Sequence, residues 1–255
     1  MALIELPSPN FNERTTPPDM VVLHYTGMPT GREALERLCD PTAKVSAHYC
    51  VDEDGTVYRL VPEERRAWHA GVGFWKGATD INSISIGIEI VNPGHEFGYR
   101  DFPSVQIDAV VGLLDAVRGR WDIADQRILG HSDIAPERKD DPGERFPWKT
   151  LAEAGHGLWP VSFNSPDLPP EGVMGPSLGI GDAGPGVFVL QGGLGKLGYK
   201  LLPGGPYDDE TATVVRAFQR HWLPEQIGTE LEGRADAALR VRLMALLRHI
   251  SLMEA

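Results

Sequence analysis

Residues 83–92 read SISIGIEIVN. Isoleucines stand at 84, 86, 88 and 90. That period of two is the period of a β-strand. Gly87, Glu89 and Val91 fall on the opposite face. Apolar residues on one face and a Val on the other predict a strand buried on both sides, as in a sheet covered by helices. A carboxylate at position 89 of such a strand is costly unless it is paired or used. The alternative for Glu89 is an exposed edge position.

Working outward from this strand, MVVLHYT (20–26) and QRILG (126–130) read as further strands. AHYCVDEDGTVYRLV (47–61) reads as two strands turning at Asp54–Gly55, a strong hairpin signal. GREALERLCD (31–40) and SVQIDAVVGLLDAVRGRW (104–121) carry helical spacing with one buried face. These elements predict an α/β fold, a mixed central sheet flanked by helices.

Three helices are expected near the C-terminus, at 186–199, 208–222 and 234–250, with Asp208 or Asp209 capping the second. They form a small three-helix domain. Residues 157–186 are rich in Pro and Gly and hold no period, so they read as a linker, with Trp159 and Phe163 docking on a neighbour. The expected division is 1–156, 157–185 and 186–255.

The chain has 255 residues and a formal net charge of −12. From 187 onward eight basic residues balance eight acidic ones, so the acidity belongs to the first part. Without a basic stripe, nucleic acid and anionic lipid are not expected partners. No run of about 18 apolar residues exists to span a membrane. The first residues, MALIELPSPNFNERTTPPDM, carry no basic segment followed by an apolar one. A cytoplasmic location is expected, with the periplasm or envelope as the alternative if a signal has been removed. Cys39 and Cys50 read as free thiols.

His24 follows VVL and His131 follows RIL-Gly, each at the end of an expected buried strand. Ligands gather at such ends in α/β sheets. The segment 130–143, GHSDIAPERKDDPG, reads as a loop, and it brings Asp141 close in sequence to His131. Two imidazoles and a carboxylate are a ligand set for a hydrolytic zinc site. Glu89 beside such a site is a candidate general base. Lys139 is either a solvated charge or a stabiliser of an oxyanion.

The blocks VVLHYTGM, VSAHYCVDEDGTVYRLVPEERRAWHAG, NSISIGIEIVN and GHSDIAPERKDDPG recur in order across about 20–150. Together they resemble the zinc N-acetylmuramoyl-L-alanine amidases of the amidase-2 family, which includes the peptidoglycan recognition proteins. The resemblance implies zinc on His24, His131 and Asp141, Glu89 as catalytic carboxylate, and Lys139 supporting the tetrahedral intermediate. Ala47 stands where some phage relatives carry a catalytic Tyr, which favours Glu89 as the base. Trp68 and His69 match a segment lining the cleft, and Tyr25, His48 and Asn82 are weaker substrate-binding candidates. His48 could equally be structural.

The implied reaction is hydrolysis of the amide between N-acetylmuramic, or 1,6-anhydro-N-acetylmuramic, acid and L-alanine of a stem peptide. The expected setting is muropeptide recycling. Turnover of intact wall, or wall binding without cleavage, are the alternatives. The C-terminal helices resemble a small peptidoglycan-binding module. Binding of another protein or of nucleic acid by those helices is a weaker alternative, and their balanced charge speaks against nucleic acid.

Overall fold

Six strands form one sheet in the order β1-β5-β4-β7-β3-β8. They are β1 (Leu3–Glu5), β3 (Met20–Tyr25), β4 (Tyr49–Val51), β5 (Val57–Arg59), β7 (Ser85–Ile90) and β8 (Ile128–Gly130). The computed structural model describes residues 3–159 and 174–253. β3 runs parallel to both β7 and β8, and β7 runs parallel to β4. β4 and β5 are antiparallel, so the sheet is mixed as expected. A separate two-stranded ribbon pairs β2 (Phe11–Glu13) with β6 (Arg65–Ala67). The short strands β1, β2 and β6 carry no run long enough to be read from sequence.

β7 is buried at all six positions because it is paired on both edges and covered on both faces. Ile86, Ile88 and Ile90 are fully buried, each contributing roughly 1.5–3 kcal/mol by removal from water. Helix α1 (Gly31–Cys39) begins at Thr30, whose hydroxyl accepts the Glu33 N–H at 3.2 Å. Leu38 of α1 packs with Cys50 of β4, Leu60 and Val91. A short helix α2 (Ile81–Ile84) leads into β7, so residues 83 and 84 of the expected strand are the end of a helical turn. Helices α3 (Gly94–Phe97) and α4 (Ser104–Arg118) follow. Gln106 of α4 is fully buried and donates to the carbonyls of Val51 and Val91 at 3.1 and 2.9 Å. Gly55 turns the 47–61 hairpin with φ +84°, a conformation costly for any residue with a Cβ.

The segment 130–143 is not entirely loop. His131–Ile134 form one helical turn, α5, before Pro136 stops it. Helix α6 (Trp148–Glu153) follows.

The chain divides into two compact units. The first comprises 1–73, 80–131 and 141–157, and the second 74–79, 132–140 and 158–255. Two short segments, 74–79 and 132–140, thus join the C-terminal helices, which a division by linker composition does not foresee. Phe74 N–H donates to the Ile134 carbonyl at 2.8 Å, tying those two segments together.

The second unit holds α7 (Pro185–Leu197), α8 (Asp209–Trp222) and α9 (Ala237–Met253). Asp208 caps α8, its carboxylate accepting the Thr211 N–H at 2.9 Å. α9 starts at 237 rather than 234 because Asp236 accepts the Leu239 N–H and ends the preceding turn. Trp159 lies under the Arg242 guanidinium, 4.9 Å from ring centre to charge. Phe163 lies outside the described residues. Cys39 and Cys50 are free thiols. Among the described residues no helix is long and apolar enough to cross a membrane.

Candidate metal centre

Parallel strands β3, β4, β7 and β8 end at the same edge of the sheet, and that edge carries the chemistry. His24 sits one residue before the end of β3, and His131 directly follows β8. Asp141 precedes Pro142, joined by a cis peptide bond, with Gly143 at φ +84° completing the turn. His24, His131 and Asp141 are 1%, 3% and 5% exposed, so the cluster is closed to bulk water.

The donor atoms converge. His24 Nδ1 and His131 Nδ1 are 2.8 Å apart, and each lies 3.0 Å from Asp141 Oδ2. Ligands of a tetrahedral zinc at about 2.0–2.1 Å would be spaced only slightly wider. His131 Nε2 lies 3.0 Å from the Ala70 carbonyl. A carbonyl only accepts, so Nε2 carries the proton and the inward Nδ1 presents a lone pair. His24 likewise turns Nδ1 inward, with Nε2 3.0 Å from His69 Nδ1. Two imidazole lone pairs and a carboxylate oxygen aimed at one point repel one another unless a cation lies between them. The three residues therefore fit a metal ion.

Glu89 is the in-register neighbour of His24 across β3 and β7, and of Cys50 across β4. In-register residues of parallel strands project from the same face, about 4.8 Å apart at the backbone. Glu89 is 9% exposed and lines a small cavity of about 60 Å³ together with Thr26, Met28, Ala34, Arg37, Leu38 and Val45. Cys50 is no ligand. Burial, then the Glu89 charge, push its thiol well above its ordinary value.

The remaining candidates are distributed differently. Tyr25 is half-buried and its hydroxyl lies 3.1 Å from His95 Nδ1. Trp68 is half-buried and donates its indole N–H to Asn12 at 2.6 Å. Lys139 is half-buried on the 132–140 segment, two residues before Asp141 along the chain.

His48 and His69 lie deeper than Tyr25 and Trp68. His48 is fully buried, accepts the Gly87 N–H on Nδ1 at 2.9 Å, and lies 3.0 Å from the Arg65 carbonyl on Nε2. Burial and then the Arg14 charge lower its pKa to about 3. His69 is 6% exposed and has both ring nitrogens engaged inside the protein. Burial, then the imidazoles of His24, His48 and His131, hold it well below the ordinary histidine range. Asn82 is also buried, its amide oxygen accepting the N–H groups of His69 and Ala70 at 3.0 and 2.8 Å.

Sequence reasoning missed Ser85 and the Ala70 carbonyl. Ser85 shares strand parity with Gly87 and Glu89, a signal that was available. The Ala70 carbonyl carries no side-chain signal.

Residues 14–144 match the family model described as N-acetylmuramoyl-L-alanine amidase. The N-acetylmuramoyl-L-alanine amidase AmiD of Escherichia coli (strain K12) is 34% identical over 248 residues, covering 89% of this chain and 82% of that protein. The structure of the E. coli AmiD complex with the substrate anhydro-N-acetylmuramic acid-L-Ala-D-gamma-Glu-L-Lys superposes with a TM-score of 0.78 at 32% identity, covering 92% of this chain and 90% of that one. AmpDh3 from Pseudomonas aeruginosa, in complex with anhydromuramic pentapeptide, superposes with a TM-score of 0.74 at 31% identity, covering 92% and 93%. Likeness over the catalytic segment and over most of both chains, together with a metal-ready His-His-Asp cluster, leads to one conclusion: this chain belongs to the N-acetylmuramoyl-L-alanine amidase family.

Proposed function

We propose that this chain hydrolyses the amide between the lactyl group of 1,6-anhydro-N-acetylmuramic acid and L-alanine of soluble muropeptides. The observation that carries the reading is the pairing of His24 with Glu89 across β3 and β7, which sets a buried carboxyl on the same face as the metal cluster. The relatives AmiD and AmpDh3 bound to anhydromuramyl peptides support the substrate class. A cytoplasmic location, the setting of muropeptide recycling, belongs to the same proposal, with the periplasm or envelope as the alternative.

His24, His131 and Asp141 hold the ion, which we assign as zinc from their two-imidazole, one-carboxylate set. Zinc bound there supplies a Lewis acid for the amide carbonyl and lowers the pKa of a water towards about 7. Glu89 takes the proton of the attacking water and returns it to the leaving amine of L-alanine. The Lys139 ammonium balances the charge on the carbonyl oxygen as the tetrahedral carbon forms. Water adds to the carbonyl carbon, the C–N bond breaks, and the products are a free carboxylate and a free peptide amine. Tyr25 and Trp68, half-buried in the first unit, are assigned to substrate contact. The catalytic part is 1–156. The stretch 157–185 serves as linker, and 186–255 as a peptidoglycan-binding part.

The test is incubation with a soluble anhydro-muramoyl tripeptide and with intact sacculi, each with and without a zinc chelator, read by mass spectrometry. Chelator-sensitive release of peptide from the soluble substrate alone supports recycling. Release from sacculi moves the function to wall turnover. No release from either makes the chain a binding protein.

A further inference from the structure

One short segment supports both metal histidines. His69 and Ala70 follow β6, and the Asn82 amide oxygen fixes their backbone by accepting both N–H groups at 3.0 and 2.8 Å. The Ala70 carbonyl sits 3.0 Å from His131 Nε2, and the His69 ring sits 3.0 Å from His24 Nε2.

The protons in this network can be assigned by following it from its fixed end. Ser85 Oγ lies 2.6 Å from the Ile81 carbonyl. The carbonyl can only accept, so the single hydroxyl proton of Ser85 goes there. Ser85 Oγ must then accept from His69 Nε2, 3.2 Å away. With Nε2 protonated, a neutral His69 has a lone pair on Nδ1 and accepts from His24 Nε2. His24 is left with its lone pair on Nδ1, the atom that faces His131 and Asp141. Each bond determines the next, and the last one selects the ligating tautomer.

The backbone is shaped around this chain. Gly87 is the strand residue beneath the His69 ring, and a Cβ there would stand 2.3 Å from that ring. No side chain fits at 87 while His69 keeps its place. Gly87 N–H in turn donates to His48 Nδ1, which holds the strand at that point.

We propose that His69, held by Ser85 and by Asn82, is a positioning residue that locks His24 in the tautomer presenting Nδ1 to the metal. Asn82 does the same for His131 through the Ala70 carbonyl. The proposal rests on the reading of His24, His131 and Asp141 as zinc ligands.

The test compares wild type, His69→Phe, His69→Asn and Ser85→Ala as full-length chains. Zinc affinity is read by competition with a chelator, folding by circular dichroism, and the His24 tautomer by nitrogen-15 NMR of the zinc-loaded protein. Phe fills the ring volume without accepting, and zinc affinity is expected to fall about 10–100-fold with the fold retained. Asn offers its side-chain oxygen near the position of Nδ1 and is expected to restore most of the affinity. Ser85→Ala removes only the hydroxyl, and is expected to give a smaller loss with a mixed His24 tautomer. It also carries the test if His69→Phe does not fold. Wild-type affinity in His69→Phe, or an unchanged His24 tautomer and unchanged affinity in Ser85→Ala, overturns the proposal. A wild-type protein that binds no zinc overturns the metal assignment itself, and the positioning role with it.

Discussion

Two buried carboxylates in this molecule are each flanked by histidine, and they are built for opposite ends. Asp141, in the first unit, meets His24 and His131. Asp133, in the second, is 1% exposed and meets Tyr199 and His221. At Asp133 the Tyr199 hydroxyl donates to one oxygen at 2.9 Å and His221 Nδ1–H to the other at 2.7 Å. The His221 ring lies flat on Trp222, with centroids 3.8 Å apart and planes 4° from parallel. Donors face acceptors there, and the cluster is complete as it stands. At Asp141 the outer nitrogens of both histidines point at acceptors, so the inner ones have lone pairs to offer. The residue types are nearly the same. The direction of the protons separates a structural cross-brace from a cluster that fits a metal ion.

That contrast can be broken at several points. Asp141→Asn, or chelation of the wild type, is expected to abolish bound zinc and bring amide hydrolysis down to background, with metal analysis and product mass spectrometry as the readouts. Glu89→Gln is expected to keep zinc and lower kcat by roughly 10²–10⁴. Near-full activity with zinc bound would remove Glu89 from the role of base.

Asp133→Ala should do the reverse of Asp141→Asn. It leaves the Tyr199 hydroxyl and His221 Nδ1–H buried without that acceptor, a loss of about 3 kcal/mol in stability. Thermal unfolding should show it, while the folded protein still binds one zinc. Loss of metal with unchanged stability would erase the distinction drawn between the two clusters.

His48 offers a test by pH. Its folded pKa is lowered to about 3, so between pH 6.5 and 3 the unfolded chain takes up a proton that the folded one refuses. Stability therefore falls as pH falls through that window. Urea titrations across this range measure the slope, and the His48 ring resonances should not titrate between pH 8 and 5.

Much of this was legible in the chain. Strand parity at 83–92 separated Glu89 from the isoleucines, and β7 keeps that separation. His24 and His131 announced themselves as polar residues closing apolar strands. Asp208 marked the start of α8 by the ordinary chemistry of a helix cap. The hairpin turn was read from Asp54–Gly55. Other features were hidden for a physical reason. The burial of His69 and His48 is not legible in the chain, because a buried imidazole and an exposed one are the same letter. Asp133 and His221 gave no signal, since neither follows a periodic run that directs it to a partner 88 positions away.

Local order and residue chemistry thus come from the sequence by itself: which segments are strands or helices, which side chains can bind a metal, and where an α/β sheet offers them. These depend on periodicity and caps over a few residues, which neighbours along the chain decide. The assignment of each proton was decided only by the tertiary structure. His24 meets His69 across 45 positions and His131 across 107, and the Ala70 carbonyl meets His131 across 61. Such bonds exist only once strand register and packing set the partners within 3 Å. In this protein those long-range contacts bring two histidines and a carboxylate to one point, where they fit a metal ion.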